Sequence, residues 1–213
     1  IERYHADFRE MLARPDIEAV IVALPNGLHA EVALEALEAG KHVVIEKPLC
    51  LTLEDADRIA EAAVRNIRVV AYAEQLVFCP KNVRAKELVD AGAVGEVFHV
   101  RHIEAHEGPY STWFFEPTLA GGGALMDLGC HSIELVRWIF DKRRVLRVTA
   151  KMATYVHRGD RAPREMLEDH ALLHLEFEGG KSAVVESGWT RKGGMVSRVE
   201  IEGDGGVLTV DLL

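Results

Sequence analysis

Apolar residues in this chain follow two rhythms. Near the start they come in unbroken runs, Ala19-Val20-Ile21-Val22-Ala23-Leu24 and Val43-Val44-Ile45. Such runs, bounded by turn residues, are the pattern of parallel strands buried on both faces. Pro25-Asn26-Gly27 punctuates the first run, and residues 28–39 carry the three-and-four apolar spacing of a helix that stops at Gly40. A short helix is predicted from Asp7-Phe8 to Leu12, ended before Pro15. Thr52 and Asp55 have the spacing of a capping box and open a helix to about Asn66. Val69-Val70-Ala71-Tyr72 reads as a third strand. Strands alternating with helices of this length predict βαβ units and a Rossmann-like parallel sheet.

The rhythm changes near Pro80. A helix is predicted over 81–91, ending at Gly92, then a strand over 96–104 and a loop containing Gly108-Pro109. Gly121-Gly122-Gly123 leads into a long helix over roughly 124–140. Strands follow near 145–156, 169–177, 181–190, 196–202 and 206–211, with a hairpin turn at Glu178-Gly179-Gly180. Short turns between successive strands predict a large, mostly antiparallel open sheet. The chain thus divides into an α/β domain, residues 1–78, and an α+β domain, residues 79–213. Val184, Trp189, Val196, Val199 and Ile201 either fill the core of the second domain or form an apolar surface on its sheet.

Composition narrows the class. The 213 residues are 48% hydrophobic and 28% charged, ordinary values for a globular protein. The net charge of −9 repels phosphate backbones, which argues against nucleic-acid binding. No apolar stretch approaches the roughly 20 residues needed to span a bilayer, and no signal peptide is visible. Cys50, Cys79 and Cys130 are scattered and odd in number, with neither a disulfide framework nor a CxxC motif. A reducing cytoplasm is the expected home. The chain starts at Ile1 without methionine and ends within a strand-like run, the pattern expected of a fragment.

Three places carry candidate chemistry. Glu46-Lys47-Pro48 follows the second apolar run, at the carboxyl end of a parallel strand, where open α/β sheets bind ligands. Pro25, Asn26 and His29 stand at the neighbouring strand mouth, although Asn26 also suits a turn and His29 a solvent-facing helix position. Asp127 and His131 stand four apart after the triple glycine, on one helical face. The amides of the helix start favour an anion, the glycines allow a ligand close to the backbone, and a histidine can exchange a proton with an alcohol at neutral pH. The alternatives are a helix-cap aspartate and a core histidine. Lys47 likewise reads as a surface lysine, and Trp113 as a packed loop aromatic. A metal-dependent hydrolase using Asp127, His131 and His102 or His106 is a further reading, weakened because His102 and His106 read as strand or irregular chain, so their four-residue spacing is not that of a helical ligand pair.

Taken together, Ala23-Leu24-Pro25-Asn26-Gly27-Leu28-His29, Gly40-Lys41-His42-Val43-Val44-Ile45-Glu46-Lys47-Pro48 and Gly121-Gly122-Gly123-Ala124-Leu125-Met126-Asp127-Leu128-Gly129-Cys130-His131 resemble the glucose–fructose oxidoreductase / inositol dehydrogenase / MocA (Gfo/Idh/MocA) family. The resemblance implies a nicotinamide-dependent dehydrogenase or reductase of a sugar, cyclitol or related polyol. It makes residues 1–78 part of a dinucleotide-binding domain and residues 79–213 a substrate-binding and oligomerisation domain. NAD or NADP would be held by Pro25, Asn26, His29, Glu46, Lys47, Pro48 and Gln75. Substrate would meet Lys47, Trp113, Asp127 and His131. Lys47, Asp127 and His131 would be catalytic: Lys47 steadying alkoxide, Asp127 binding hydroxyls, His131 acting as general acid/base. No metal is required, because Lys47 supplies positive charge.

The resemblance also implies homodimers or homotetramers through the second-domain sheet. Residues 104–118, including His106, Tyr110 and Trp113, are expected to tune substrate choice. The family's G-x-G-x-x-G fingerprint is absent from the chain and is expected upstream of Ile1, with a C-terminal segment beyond Leu213. Gln75 and Val77 stand where the family often has asparagine and arginine. A non-catalytic dinucleotide sensor on the same fold is the second reading.

Overall fold

The computed structural model describes residues 3–157 and 167–211. The chain falls into two compact units, Ile1–Ala73 with Thr118–Gly121 and Glu74–Pro117 with Gly122–Leu213.

In the first unit, three parallel strands, β1 (Ala19–Val22), β2 (His42–Glu46) and β3 (Val70–Ala73), lie in chain order. A short α1 (Phe8–Leu12) precedes them, α2 (His29–Glu38) joins β1 to β2, and α3 (Leu53–Asn66) joins β2 to β3. The predicted cap forms, with Thr52 Oγ1 accepting from the Asp55 amide at 3.0 Å. Val20, Val22, Val43 and Ile45 pack against Val32, Ala33, Ala36 and Leu37 of α2 and Ile59 and Ala62 of α3. The run at 19–24 was expected to be covered on both faces, but Ile21 is 72% exposed. Both helices join one core on one face, so burial along β1 alternates although its sequence does not.

The second unit holds α4 (Pro80–Asp90), α6 (Cys130–Ile139) and a six-stranded sheet; α5 (Pro117–Ala120) lies at the crossover between the units. The strands are β4 (Val97–Ala105), β5 (Val145–Ala153), β6 (His170–Phe177), β7 (Ser182–Gly188), β8 (Val196–Gly203) and β9 (Gly206–Asp211), ordered β5-β6-β7-β4-β8-β9. The sheet is mixed, because β4 pairs parallel with β7 while every other neighbour is antiparallel. Leu135, Val136 and Ile139 of α6 cover Val100, Leu173, Leu175, Val185, Val199 and Ile201.

The choice left open for the second-domain apolar residues is therefore resolved. Trp189, Val199 and Ile201 are buried, whereas Val184 and Val196 are half-buried on the opposite face. That outer face is mainly charged. Arg101 lies 3.0 Å from Glu202 and 3.5 Å from Glu200, Arg147 is 3.3 Å from Glu176, and His170 is 3.1 Å from Glu186. Exposed pairs like these contribute about 0–1 kcal/mol each; their main effect is to make the face wettable.

The predicted helix over 124–140 is interrupted. Leu125–Gly129 forms a π-helical turn and α6 begins only at Cys130. Two fixed points bracket the widened turn. The Glu168 carboxylate accepts from the Gly123 amide at 3.1 Å and the Leu125 amide at 2.9 Å. Within the turn, Asp127 Oδ2 accepts from the Trp189 indole at 3.0 Å. Single π-turns inside helices recur at functional sites.

Candidate active site

The carboxyl ends of β1 and β2 gather the first group of candidate residues. Asn26 is buried, and its Nδ2 donates to the Ala120 carbonyl at 2.9 Å. A Cβ on Gly27 would lie 2.3 Å from the Thr118 carbonyl oxygen, so this turn closes only over glycine. His29 is not the solvent-facing residue its helix position suggests. It is fully buried, with Nδ1 2.8 Å from the Pro48 carbonyl and Nε2 2.8 Å from the Leu24 carbonyl. The ring ties the chain leaving β1 to the chain leaving β2. Glu46 ends β2, and its Oε2 accepts from the Lys47 amide at 3.2 Å. Lys47 is half-buried, Pro48 is buried, and the peptide between them is cis.

In the second unit, Asp127 and His131 are both buried, at 6% and 7% exposure. They do not serve each other. Asp127 is held by Trp189, and His106 Nε2 lies 3.9 Å from the same oxygen. His106 Nδ1 accepts from the Gly108 amide at 2.9 Å, which puts the proton of the neutral ring on the nitrogen facing Asp127. His131 Nδ1 instead lies 2.9 Å from Oε1 and 2.7 Å from Oε2 of Glu74. Gln75 is exposed. Trp113 is half-buried and stacks on Phe114 with centroids 3.8 Å apart. Phe114 and Phe115 meet Trp189 edge-on, so the aromatic loop reaches Asp127 through the indole.

Two expectations need correction. The amides at the start of the glycine-led helix are bound by Glu168, not Asp127. The close approach allowed by Gly123 is likewise to protein, since an added Cβ would lie 1.8 Å from the Glu168 carbonyl oxygen.

His102 lies inside the unit, with Nδ1 2.7 Å from Ser132 Oγ. Burial, then the charges of Lys81 and His131, push its pKa down to about 3, so it is neutral at physiological pH. The structure does not group it with Asp127 as metal ligands. Glu74, Cys130 and His131 instead bring three donor atoms within 4.8 Å of one another. Two ligands of one tetrahedral zinc stand about 3.4 Å apart, given metal–ligand distances near 2.1 Å. His131 Nδ1 lies nearer than that to Glu74, in a hydrogen bond with Oε1 at 2.9 Å, so this pair is built to share a proton.

Sequence reasoning missed Glu74, Glu168 and Trp189 as parts of this site. Glu74 had a usable signal: it is an acidic residue at the carboxyl end of a strand, as Glu46 is. Glu168 and Trp189 had none, because their partners are 43 to 62 residues distant in the chain.

A parallel α/β unit is followed by an α+β unit with a mixed sheet. Residues 1–74 match the oxidoreductase family with an NAD-binding Rossmann fold, and residues 82–209 match the GFO/IDH/MocA C-terminal domain. The chain belongs to the Gfo/Idh/MocA family. It is 33% identical over 160 residues to the levoglucosan dehydrogenase of Pseudarthrobacter phenanthrenivorans, covering 73% of this chain and 40% of that protein. The crystal structure of GenD2 from gentamicin A biosynthesis, in complex with NAD, superposes with a TM-score of 0.92 at 36% identity, over 99% of this chain and 59% of that one. Levoglucosan dehydrogenase in complex with NADH and L-sorbose superposes with a TM-score of 0.86 at 29% identity, over 97% and 57%. The chain thus spans less than two thirds of each of these relatives.

Proposed function

We propose that the full-length protein is an NAD(P)-dependent oxidoreductase interconverting a secondary alcohol and a carbonyl on a sugar, cyclitol or related polyol. The observation that carries this reading is the buried His131, gripped through one ring nitrogen by a carboxylate in a chain of this family. A ring gripped at Nδ1 is left with Nε2 to exchange a proton, as oxidation of an alcohol requires. The dehydrogenase solved with L-sorbose supports a polyol as substrate, and the relatives solved with NAD or NADH support the cofactor.

Loops at the carboxyl ends of parallel strands suit a dinucleotide. Asn26, with its amide pinned and its turn closed over Gly27, fits such a ligand as a rigid wall. Pro25, Asn26, Glu46, Pro48 and Gln75 would hold the cofactor, and His29 would act from behind by fixing the two strand ends. The nicotinamide supplies or accepts hydride at its ring. Lys47 would lend its ammonium to developing alkoxide charge, Asp127 would accept hydrogen bonds from substrate hydroxyls, and His131 would take or return the hydroxyl proton. Trp113 packs against the sugar. In this reading residues 1–78 serve the cofactor, and residues 79–213 serve the substrate.

Self-association is assigned to the outer face of the six-stranded sheet, where Ile103, Leu172 and Val184 stand among the ion pairs. Among the described residues, no helix is long and apolar enough to cross a membrane. Among the described residues no disulfide joins Cys50, Cys79 or Cys130, which supports a cytoplasmic location.

Steady-state assays on a polyol panel with NAD and NADP test the reading. His131→Ala and Lys47→Ala should each lower kcat by about 100-fold or more, with dinucleotide Kd changed less than about threefold. Full activity of His131→Ala on every substrate turned over would remove the assignment. Tight dinucleotide binding without turnover across the panel would favour the sensor.

A further inference from the structure

We infer that Glu74 is a positioning residue for His131: its carboxylate fixes the Nδ1–H tautomer and leaves the Nε2 lone pair to receive the proton. This rests on the role proposed for His131.

Glu74 and His131 are 5% and 7% exposed, so water does not compete for their contact. Nδ1 lies within 3 Å of both carboxylate oxygens. The carboxylate is itself anchored, since Oε1 also accepts from the Leu76 amide at 3.0 Å. An ionised carboxylate only accepts, and a neutral imidazole has one N–H. The tautomer that points an N–H at Glu74 is therefore strongly preferred. The other would set a lone pair against a buried anion, leaving both groups without a donor and away from water. When Nε2 takes a proton, the resulting imidazolium faces the same anion, which lowers the energy of the charged intermediate.

Asp127 cannot do this work. Its Oδ2 is engaged with the Trp189 indole, and it is His106, at 3.9 Å, that stands nearest to that oxygen among the histidines. The two carboxylates near His131 in sequence and in space thus divide the labour: Glu74 orients the base and Asp127 faces substrate.

The test is made on the full-length protein. Because Nδ1 and the Leu76 amide bond the same oxygen, Oε1, a glutamine would keep that acceptor, so the variant is Glu74→Leu, which preserves size and removes both oxygens. In nitrogen-15 NMR of histidine-labelled protein above pH 8, wild-type His131 should show the Nδ1–H signature and Glu74→Leu a shift toward the Nε2–H signature. kcat should fall about 100-fold or more, while polyol KM and dinucleotide Kd change less than about threefold. An Nε2–H signature in the wild type would overturn the inference and needs no variant. So would unchanged kcat in Glu74→Leu when His131→Ala is inactive. An active His131→Ala would instead strike the functional reading, and the tautomer measurement would still decide the role of Glu74.

Discussion

Trp189 Nε1 donates to Asp127 Oδ2 at 3.0 Å across 62 residues of sequence. The indole is 1% exposed and follows the last residue of β7, so a strand end holds the π-turn in place. Its backbone is fixed as well, the Trp189 amide donating to the Asp169 carbonyl at 2.7 Å.

Trp189→Phe keeps much of the aromatic packing on Phe114 and Phe115 but deletes the donor. A hydrogen bond to a charged group contributes about 1.5–3 kcal/mol. The variant should lose about 2 kcal/mol in urea unfolding and raise polyol KM more than dinucleotide Kd. A loss under about 0.5 kcal/mol would mean that the indole does not anchor Asp127.

Two glycines separate close approach from backbone freedom. Gly123→Ala drives a methyl into the Glu168 carbonyl oxygen and disturbs the carboxylate that caps the same turn. Overpacking commonly costs about 1–3 kcal/mol, and with the cap disturbed a loss of about 3 kcal/mol or more is expected. Gly92→Ala meets no atom within 4 Å and bears only the strain of φ +76°, worth about 1 kcal/mol. Equal losses in urea melts of the two variants would contradict this contrast.

The second unit should weaken in mild acid. His102 binds a proton near pH 6.5 when unfolded, but only near pH 3 when folded. Between those values the unfolded chain holds more protons, so stability is greatest above pH 6.5 and declines as pH falls toward 3. From pH 7 to pH 5 the decline from this one residue is about 2 kcal/mol. Urea midpoints at the two pH values check it, and His102→Gln should flatten the dependence. A slope unchanged in that variant would assign the acid sensitivity elsewhere.

Much of this architecture is legible from sequence because its signals are local. The cap at Thr52, the stop at Gly40 and the hairpin at Gly179-Gly180 depend on residues a few positions apart, and each element appears where its signal stands. What was hidden depends on remote partners. The π-turn exists because Glu168 and Trp189 come to it from beyond position 160. His29 reads as a surface residue until Leu24 and Pro48 are seen on either side of its ring. The sheet is mixed because β4 takes a place between two strands made much later, which no spacing announces.

That placement of β4 bears on how the second unit assembles. His99 meets Ser182, which lies 83 positions later in the chain, and β8 must arrive on the other edge before the sheet is complete. A growing chain therefore carries an unpaired β4 until β7 and β8 have been made. Rapid, self-contained closure of this half is ruled out by topology: such distant pairing forms slowly and exposes strand edges meanwhile. Newly made protein should thus be most prone to clumping, and most dependent on chaperones, while β7 and β8 are still emerging from the ribosome.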